Sequence, residues 1–263
     1  MSSELALIVL GSGAAFGPPD RDNTSLAVQS ENALWLIDCA GSPWRRMRRA
    51  GLDPAGLSAI VITHAHPDHL YGLPSLLHCL IPVGLTRPLP ILAPPRTLAC
   101  IRDLLAAFSL LSRADLPLHL VALPAEPVLP PAEPVWSDSG VQLWTAPVEH
   151  TVETVGLRLA IAGRTVTCSS DTAPCEAVVE LARDADLLVH EATFRSDDPG
   201  GVAPGHSTAA GAGQTAARAG AARLLLVHLL ERTAADPAAL QREAEEYFSG
   251  EVIVAEDLRR YCL

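Results

Sequence analysis

His64-Ala65-His66-Pro67-Asp68-His69 follows directly on Ala59-Ile60-Val61-Ile62-Thr63. The five residues before the cluster are apolar or β-branched and read as a buried strand. The six after them place three imidazoles and one carboxylate on a tight loop at that strand's end. A core has little use for four such groups side by side, because each needs its own buried partner. Nitrogen donors with one carboxylate suit zinc. His64 and His66, alternate residues on an extended loop, can share one ion, while Asp68 and His69 point towards a second. The competing reading is a solvated His-rich turn.

Outward from this loop, Leu5–Leu10 reads as a strand, and Ser25–Gln29 and Ala33–Asp38 as a hairpin pair around Ser30-Glu31-Asn32. Ser42-Pro43 predicts the cap and first turn of a helix over Trp44–Ala50, closed by Gly51. Its Arg45, Arg46, Arg48 and Arg49 read as a solvated face. Past the cluster come a helix over Leu70–Leu80, a strand over Leu89–Leu92 and a helix over Leu98–Leu111. The proline-rich stretch Leu123–Pro134 reads as a crossover. Beyond it, Val141–Ala146, Gly156–Ile161 and Thr165–Ser169 read as strands, the last two joined by a tight turn at Ala162-Gly163. Helices over Glu176–Arg183, Ser207–Ala219 and Pro237–Phe248 then alternate with strands over Leu187–His190, Arg223–His228 and Val252–Ala255. Sheet and helices, twice over, predict two packed sheets with helices outside. The expected organisation is one domain over 1–263, in two similar halves of about 1–122 and 135–263 joined by the Pro-rich crossover.

Of the 263 residues 49% are apolar and only 4% aromatic, so the core must be aliphatic, as in a globular α/β protein. The net charge is −11 and every basic residue is arginine. That balance argues against broad electrostatic capture of nucleic acid and leaves room only for a local basic patch or the charge of bound metal. Cys39, Cys79, Cys100, Cys168, Cys175 and Cys262 form no C-x-x-C pair, and several lie in apolar runs. They read as reduced, mostly buried thiols of a cytoplasmic protein. Cys39 and Cys168, beside strand ends, lie within reach of a metal. The run Leu5–Leu10 is too short and lacks the basic flank of a signal peptide. No apolar stretch is long enough to span a bilayer, so no membrane association is expected.

Three further candidates sit at predicted strand ends: His150 after Val141–Ala146, Asp171 after Thr165–Ser169, and His228 after Arg223–Val227. Taken singly, each could be a capped or surface residue. Together with His64, His66, Asp68 and His69 they make seven N/O donors. That is too many for one tetrahedral zinc, and it suits two metals sharing a carboxylate.

These residues, with Leu36-Ile37-Asp38-Cys39, Ser170-Asp171-Thr172, His190-Glu191-Ala192-Thr193, Gly205-His206-Ser207-Thr208-Ala209 and Leu225 to His228, resemble the metallo-β-lactamase fold superfamily, in its ribonuclease Z-like phosphodiesterase branch. The resemblance implies a four-layer αββα sandwich with the site at the seam of its halves. It implies that His64, His66 and His150 hold one zinc, that Asp68, His69 and His228 hold the other, and that Asp171 bridges them. Mn2+ or Fe2+ are alternative metals, although a redox di-iron relative would be expected to carry a carboxylate in place of His66. It also implies that His206 is a catalytic histidine buttressed by Glu191, with His190 packing behind, and that the protein is a homodimer, with Leu76-Leu77-His78-Cys79-Leu80 as either interface or core. His78 and His119 read as structural. The implied chemistry is hydrolysis by a metal-bridging hydroxide, available because zinc lowers the pKa of bound water to about 7. Asp68 would ligate a metal and orient the nucleophile.

Short ribonuclease Z enzymes carry a long tRNA-gripping arm, commonly between the ligands that match His150 and Asp171. Only 20 residues separate those positions here, and a hairpin uses most of them. The family's Gly-Glu-Gly-Thr-Gln run is replaced by Ala40-Gly41-Ser42-Pro43-Trp44, and its lysine-bearing loop is only echoed by Arg21, Asp22 and Asn23. The expected substrate is therefore a small or cyclic phosphodiester or an RNA 3′ end, rather than a tRNA. The alternatives are a dizinc hydrolase of a lactone, thioester or β-lactam, and a non-catalytic metal-binding module.

Overall fold

Short apolar runs recur along the chain, and successive side chains within each go to opposite faces. In the computed structural model, which describes residues 5–85, 87–199 and 201–263, these runs form two seven-stranded sheets. The first contains β1 (Ala6–Gly11), β2 (Ser25–Gln29), β3 (Leu34–Ile37), β4 (Ala59–Val61), β5 (Leu89–Ala93) and β6 (Leu118–Ala122). The second contains β7 (Trp136–Asp138), β8 (Val141–Pro147), β9 (Val155–Ile161), β10 (Arg164–Cys168), β11 (Leu187–Glu191), β12 (Arg223–Val227) and β13 (Glu251–Val254). The last strand, β14 (Arg260–Cys262), leaves the second sheet's part of the chain and pairs with β1 at the edge of the first, Ala6 opposite Cys262.

The helices are α1 (Pro43–Arg49), α2 (Pro67–Leu70), α3 (Leu73–Leu80), α4 (Pro95–Ala107), α5 (Glu176–Leu181), α6 (Ala209–Ala219), α7 (Glu231–Ala234) and α8 (Pro237–Glu245). Leu7, Val9, Trp35 and Val61 of the first sheet meet Leu143, Leu157, Val166 and Leu225 of the second in a core between the sheets. The alternate residues Ile8, Leu36, Ile60 and Ile91 face outward onto Met47, Leu73, Leu77 and Ile101 of α1, α3 and α4. On the far side Leu188, Leu224 and Leu226 pack against Val178, Ala212, Ala216 and Leu240 of α5, α6 and α8. The layers are thus helix, sheet, sheet, helix, as the αββα expectation required. Strands buried on both faces explain why they read as continuous apolar runs rather than alternating ones.

Two local expectations are corrected. The helix expected over Leu70–Leu80 is two helices, broken at Tyr71-Gly72. Gly72 donates its N–H to Cys39 O at 2.9 Å, and a β-carbon there would lie 2.8 Å from Pro43 Cδ. The α1 arginines are not uniformly solvated. Arg45, Arg48 and Arg49 are exposed, but Arg46 turns in to donate to Leu10 O at 2.6 Å and to pair with Asp257. Of the two readings of Leu76–Leu80, core holds for Leu76, Leu77 and Leu80, which are fully buried, while His78 within it is exposed. The exposed apolar residues nearby are Tyr71, Phe108 and Leu111. Both His78 and His119 are exposed, the latter beside the Trp136 ring. Among the described residues, no helix is long and apolar enough to cross a membrane.

Candidate metal centre

β10, β11, β12 and β13 are mutually parallel, and β8 runs the same way two strands over. Their C-terminal loops therefore open on one edge, where α/β sheets generally place ligands. Across the seam, the segment after β4 brings His64 and His66, and α2 brings Asp68 and His69. His150, Asp171 and His228 come from the loops after β8, β10 and β12. All seven expected donors are together. Asp171 Oδ2 lies 3.2 Å from His228 Nε2, 3.4 Å from His69 Nε2, 3.8 Å from His64 Nε2 and 4.0 Å from His150 Nε2. Asp68 Oδ2 lies 3.5 Å from His228 Nε2 and 3.6 Å from His69 Nε2. His150 Nε2 and His66 Nδ1 are 3.1 Å apart. Three overlapping sets of groups lie close enough to share a cation: His64, His66, His150 and Asp171; Asp68, His69 and His228; and Asp171, His206 and His228.

The imidazoles are held from behind. His69 Nδ1–H donates to Asp38 Oδ2 at 2.7 Å, and His150 Nδ1–H to Gly205 O at 2.7 Å. Thr63 Oγ–H donates to Asp38 and so accepts from His64 Nδ1 at 3.0 Å. Thr193 Oγ–H donates to Glu191 Oε2 at 2.5 Å and accepts from His228 Nδ1 at 2.8 Å. Each arrangement commits Nδ1 to the protein and turns Nε2 inward as the nitrogen available to a cation. The Nε2 atoms of His64, His69 and His228 are buried with no hydrogen-bond partner. Buried nitrogens without partners are costly, and three of them aimed at one carboxylate oxygen are what a cation would satisfy. The donor set fits divalent metal.

Electrostatics point the same way. Burial works against ionising Asp171, yet His228 and His69 hold it well below the usual carboxylate range. Burial likewise opposes ionisation of Asp68, which the adjacent His228, 3.5 Å away, and the nearby charge of His69 keep low. Burial keeps His64 well below the usual imidazole range, and the neighbouring His69 adds to this. The carboxylates stay charged and burial keeps His64, His66 and His150 low, as suits ligands. His69 differs: burial opposes its charge, yet Asp171 and then Asp38 raise it well above the usual imidazole range, favouring a proton that a bound cation would displace.

Beside the cluster, His206 Nδ1 lies 2.9 Å from Glu191 Oε1, and its ring stacks on His228 with centroids 5.5 Å apart. Glu191 is buried and also accepts the N–H groups of Thr172 and Thr193. Burial opposes protonation of His206, but the bond to Glu191 and its charge outweigh it and raise the pKa. His190 points away from the cluster, by strand alternation, and donates Nδ1–H to Glu191 O. Cys39 and Cys168 are buried, with thiols pushed up by burial and then by Asp38, and neither belongs to a donor group among the described residues.

Four contributors went unassigned in the sequence: Asp38, Thr63, Thr193 and Gly205. Asp38, Thr193 and Gly205 lie within the stretches that carry the family resemblance, so a signal was present, although it gave no role. Gly205 contributes a carbonyl at φ +81°, where a β-carbon would lie 2.8 Å from His150 Nδ1. No side-chain letter reports that.

Residues 35–229 match the family described as "Beta-lactamase superfamily domain". The chain is 32% identical to a ribonuclease Z of Mycolicibacterium paratuberculosis, with 97% of each chain covered. It superposes on the metallo-β-lactamase fold protein YhfI from Bacillus subtilis with a TM-score of 0.83 at 23% identity, covering 100% of both chains. On the short form of human tRNase Z the TM-score is 0.74 at 26% identity, covering 97% of this chain and 98% of that one. The fold, the ordered motifs and these relatives agree, and the chain belongs to the β-lactamase superfamily, in its ribonuclease Z-like branch.

Proposed function

We propose that the protein is a dizinc phosphodiesterase acting on small phosphodiesters. The reading is carried by the three partnerless Nε2 atoms converging on Asp171, with the His206–Glu191 pair alongside. His64, His66 and His150 would hold one zinc, Asp68, His69 and His228 the other, and Asp171 would be shared. A nitrogen-rich donor set favours zinc over magnesium or calcium. Bound there, zinc supplies water acidified to about neutral pH and positive charge for the phosphoryl oxygens.

The chain's own groups do the rest. Asp68 lies beside both His69 and His228 and is kept ionised, so it can orient the attacking water and accept its proton. Glu191, fixed by the Thr172 and Thr193 amides, holds His206 Nδ1–H. That fixes the ring and turns Nε2 towards the substrate, where it can donate a proton to the leaving oxygen or to a phosphoryl oxygen. The turn at Ala162-Gly163 fills the interval between His150 and Asp171 with the β9–β10 hairpin, which supports a small substrate over a tRNA. The homodimer that the resemblance implies would use the face bearing the exposed Tyr71 and Phe108, and light scattering on the eluted protein tests it.

The test is hydrolysis of bis-p-nitrophenyl phosphate by zinc-loaded protein, with a lactone and a pre-tRNA assayed in parallel. Phosphodiester cleavage without pre-tRNA processing is expected. Cleavage of the lactone alone would move the reading to carbonyl hydrolysis, and inactivity on all three with metal bound would leave a binding module.

A further inference from the structure

A cavity of about 490 Å³ opens on Asp68, Asp171 and His206 and is lined also by Phe16, Phe194 and Arg232. Phe16 is 82% exposed, the most exposed large apolar side chain among the described residues. Its loop is nevertheless pinned. Phe16 O accepts from Glu231 N at 3.2 Å, Ala14 N donates to Leu229 O at 3.0 Å, and Ala14 O takes both Gly17 N and Asn23 Nδ2 at 3.0 Å. The pinned backbone keeps Phe16 on the lining of the cavity that the metal-ligand cluster shares, where its ring face is open to a ligand.

A second lining residue, Arg232, indicates which ligand. Arg232 lies with Cζ 5.2 Å from the Phe194 ring centroid and Nε 3.2 Å from Asp198 Oδ1, so its guanidinium is fixed as a planar, donor-edged group. An alkyl chain would cover Phe16 but bring nothing for the guanidinium to bond. A nucleobase brings a face for the aromatic ring and ring nitrogens or carbonyls for the donors. The cavity is contiguous with the metal-ligand cluster, so the base would sit on the nucleoside esterified to the reacting phosphate.

We propose that Phe16 is a stacking platform for that nucleobase, making nucleoside phosphodiesters, rather than alkyl ones, the preferred substrates. This rests on the phosphodiesterase reading above. Zinc-loaded protein is assayed on two p-nitrophenyl esters with the same leaving group, one of thymidine 5′-phosphate and one of methyl phosphate. Phe16→Ala is expected to lower the ratio of kcat/KM, nucleoside over methyl, by at least about fivefold, the weak end of one base–aromatic stack. Phe16→Tyr should restore the ratio. An unchanged ratio in Phe16→Ala overturns the proposal. Should the wild type hydrolyse neither ester, the phosphodiesterase reading falls and the subsite is decided by calorimetry with thymidine monophosphate and inorganic phosphate. Tighter binding of the nucleotide that Phe16→Ala abolishes upholds the platform. Equal affinity for the two, or a preference that survives Phe16→Ala, overturns it.

Discussion

Four imidazoles of the cluster share one polarity: Nδ1–H goes outward to a protein acceptor and Nε2 stays inward. Asp38 anchors two of them, accepting from His69 Nδ1 directly and from Thr63 N and Oγ, the latter backing His64. An amide has one acceptor oxygen where the carboxylate has two, so Asp38→Asn cannot serve all three donors. Zinc affinity should fall about 10- to 100-fold, the usual loss when a ligand's supporting partner goes. Competition with a chromophoric chelator measures it, and undiminished affinity would show that the ligands hold their tautomers without Asp38. His206→Ala should separate chemistry from binding: metal content unchanged, turnover down by about 10²- to 10⁴-fold for loss of a proton donor. Full turnover would remove His206 from the mechanism. The seven candidate donors were legible because polar groups crowded at strand ends demand an explanation. Asp38 and Thr63 were not, because one Asp or Thr beside a strand looks the same whether it caps a turn or orients a ligand.

The element that decides donor placement is the pair α2 and α3, and it was the one misread. Apolar residues run through Leu70, Leu73, Leu76, Leu77 and Leu80 with helical spacing, which masks the break that Gly72 and Pro74 signal, Pro74 lying in the first turn of α3. The break is a packing constraint: the backbone of Gly72 lies against Cys39 and Pro43 too closely for any side chain. That contact seats α2, which carries Asp68 and His69, against the loop carrying Asp38. Gly72→Ala should therefore push α2 away, costing about 1–3 kcal/mol by overpacking and weakening zinc binding along with it. Urea midpoints and zinc content, measured on one preparation, check both. Lost stability with full zinc retention would mean that α2 shifts as a unit with its partners. The strands β7 and β14 were also unread, since three residues are too few to show a period of two, and the partner of β14 is at the other end of the chain.

On the scale of the molecule, the two packed sheets were legible because sequence order and strand length suffice to pair most neighbours. The seam between them is where the donors meet. His64, His66, Asp68 and His69 arrive from the first sheet's edge, and His150, Asp171 and His228 from the second's. The set of His64, His66, His150 and Asp171 and the set of Asp68, His69 and His228 each take residues from both sides, so a cation bound in either links the sheets as well as its ligands. Without cations, ionised Asp68 and Asp171 and five imidazoles must share that space through protons alone. Metal binding to the folded state only adds about 4 kcal/mol at a thousandfold excess over Kd. For a chain of this size each kcal/mol moves Tm by about 2–4 °C. Chelation should thus lower Tm by roughly 8–16 °C at such an excess, and zinc should restore it. Asp171→Ala, which removes the oxygen nearest the nitrogens of both groups, should leave Tm insensitive to zinc. A Tm indifferent to verified metal loss in the wild type would mean that the inter-sheet core of Trp35, Val61, Leu157 and Leu225 holds the seam unaided. The cluster would then be a preformed site that metal fills without tightening the fold.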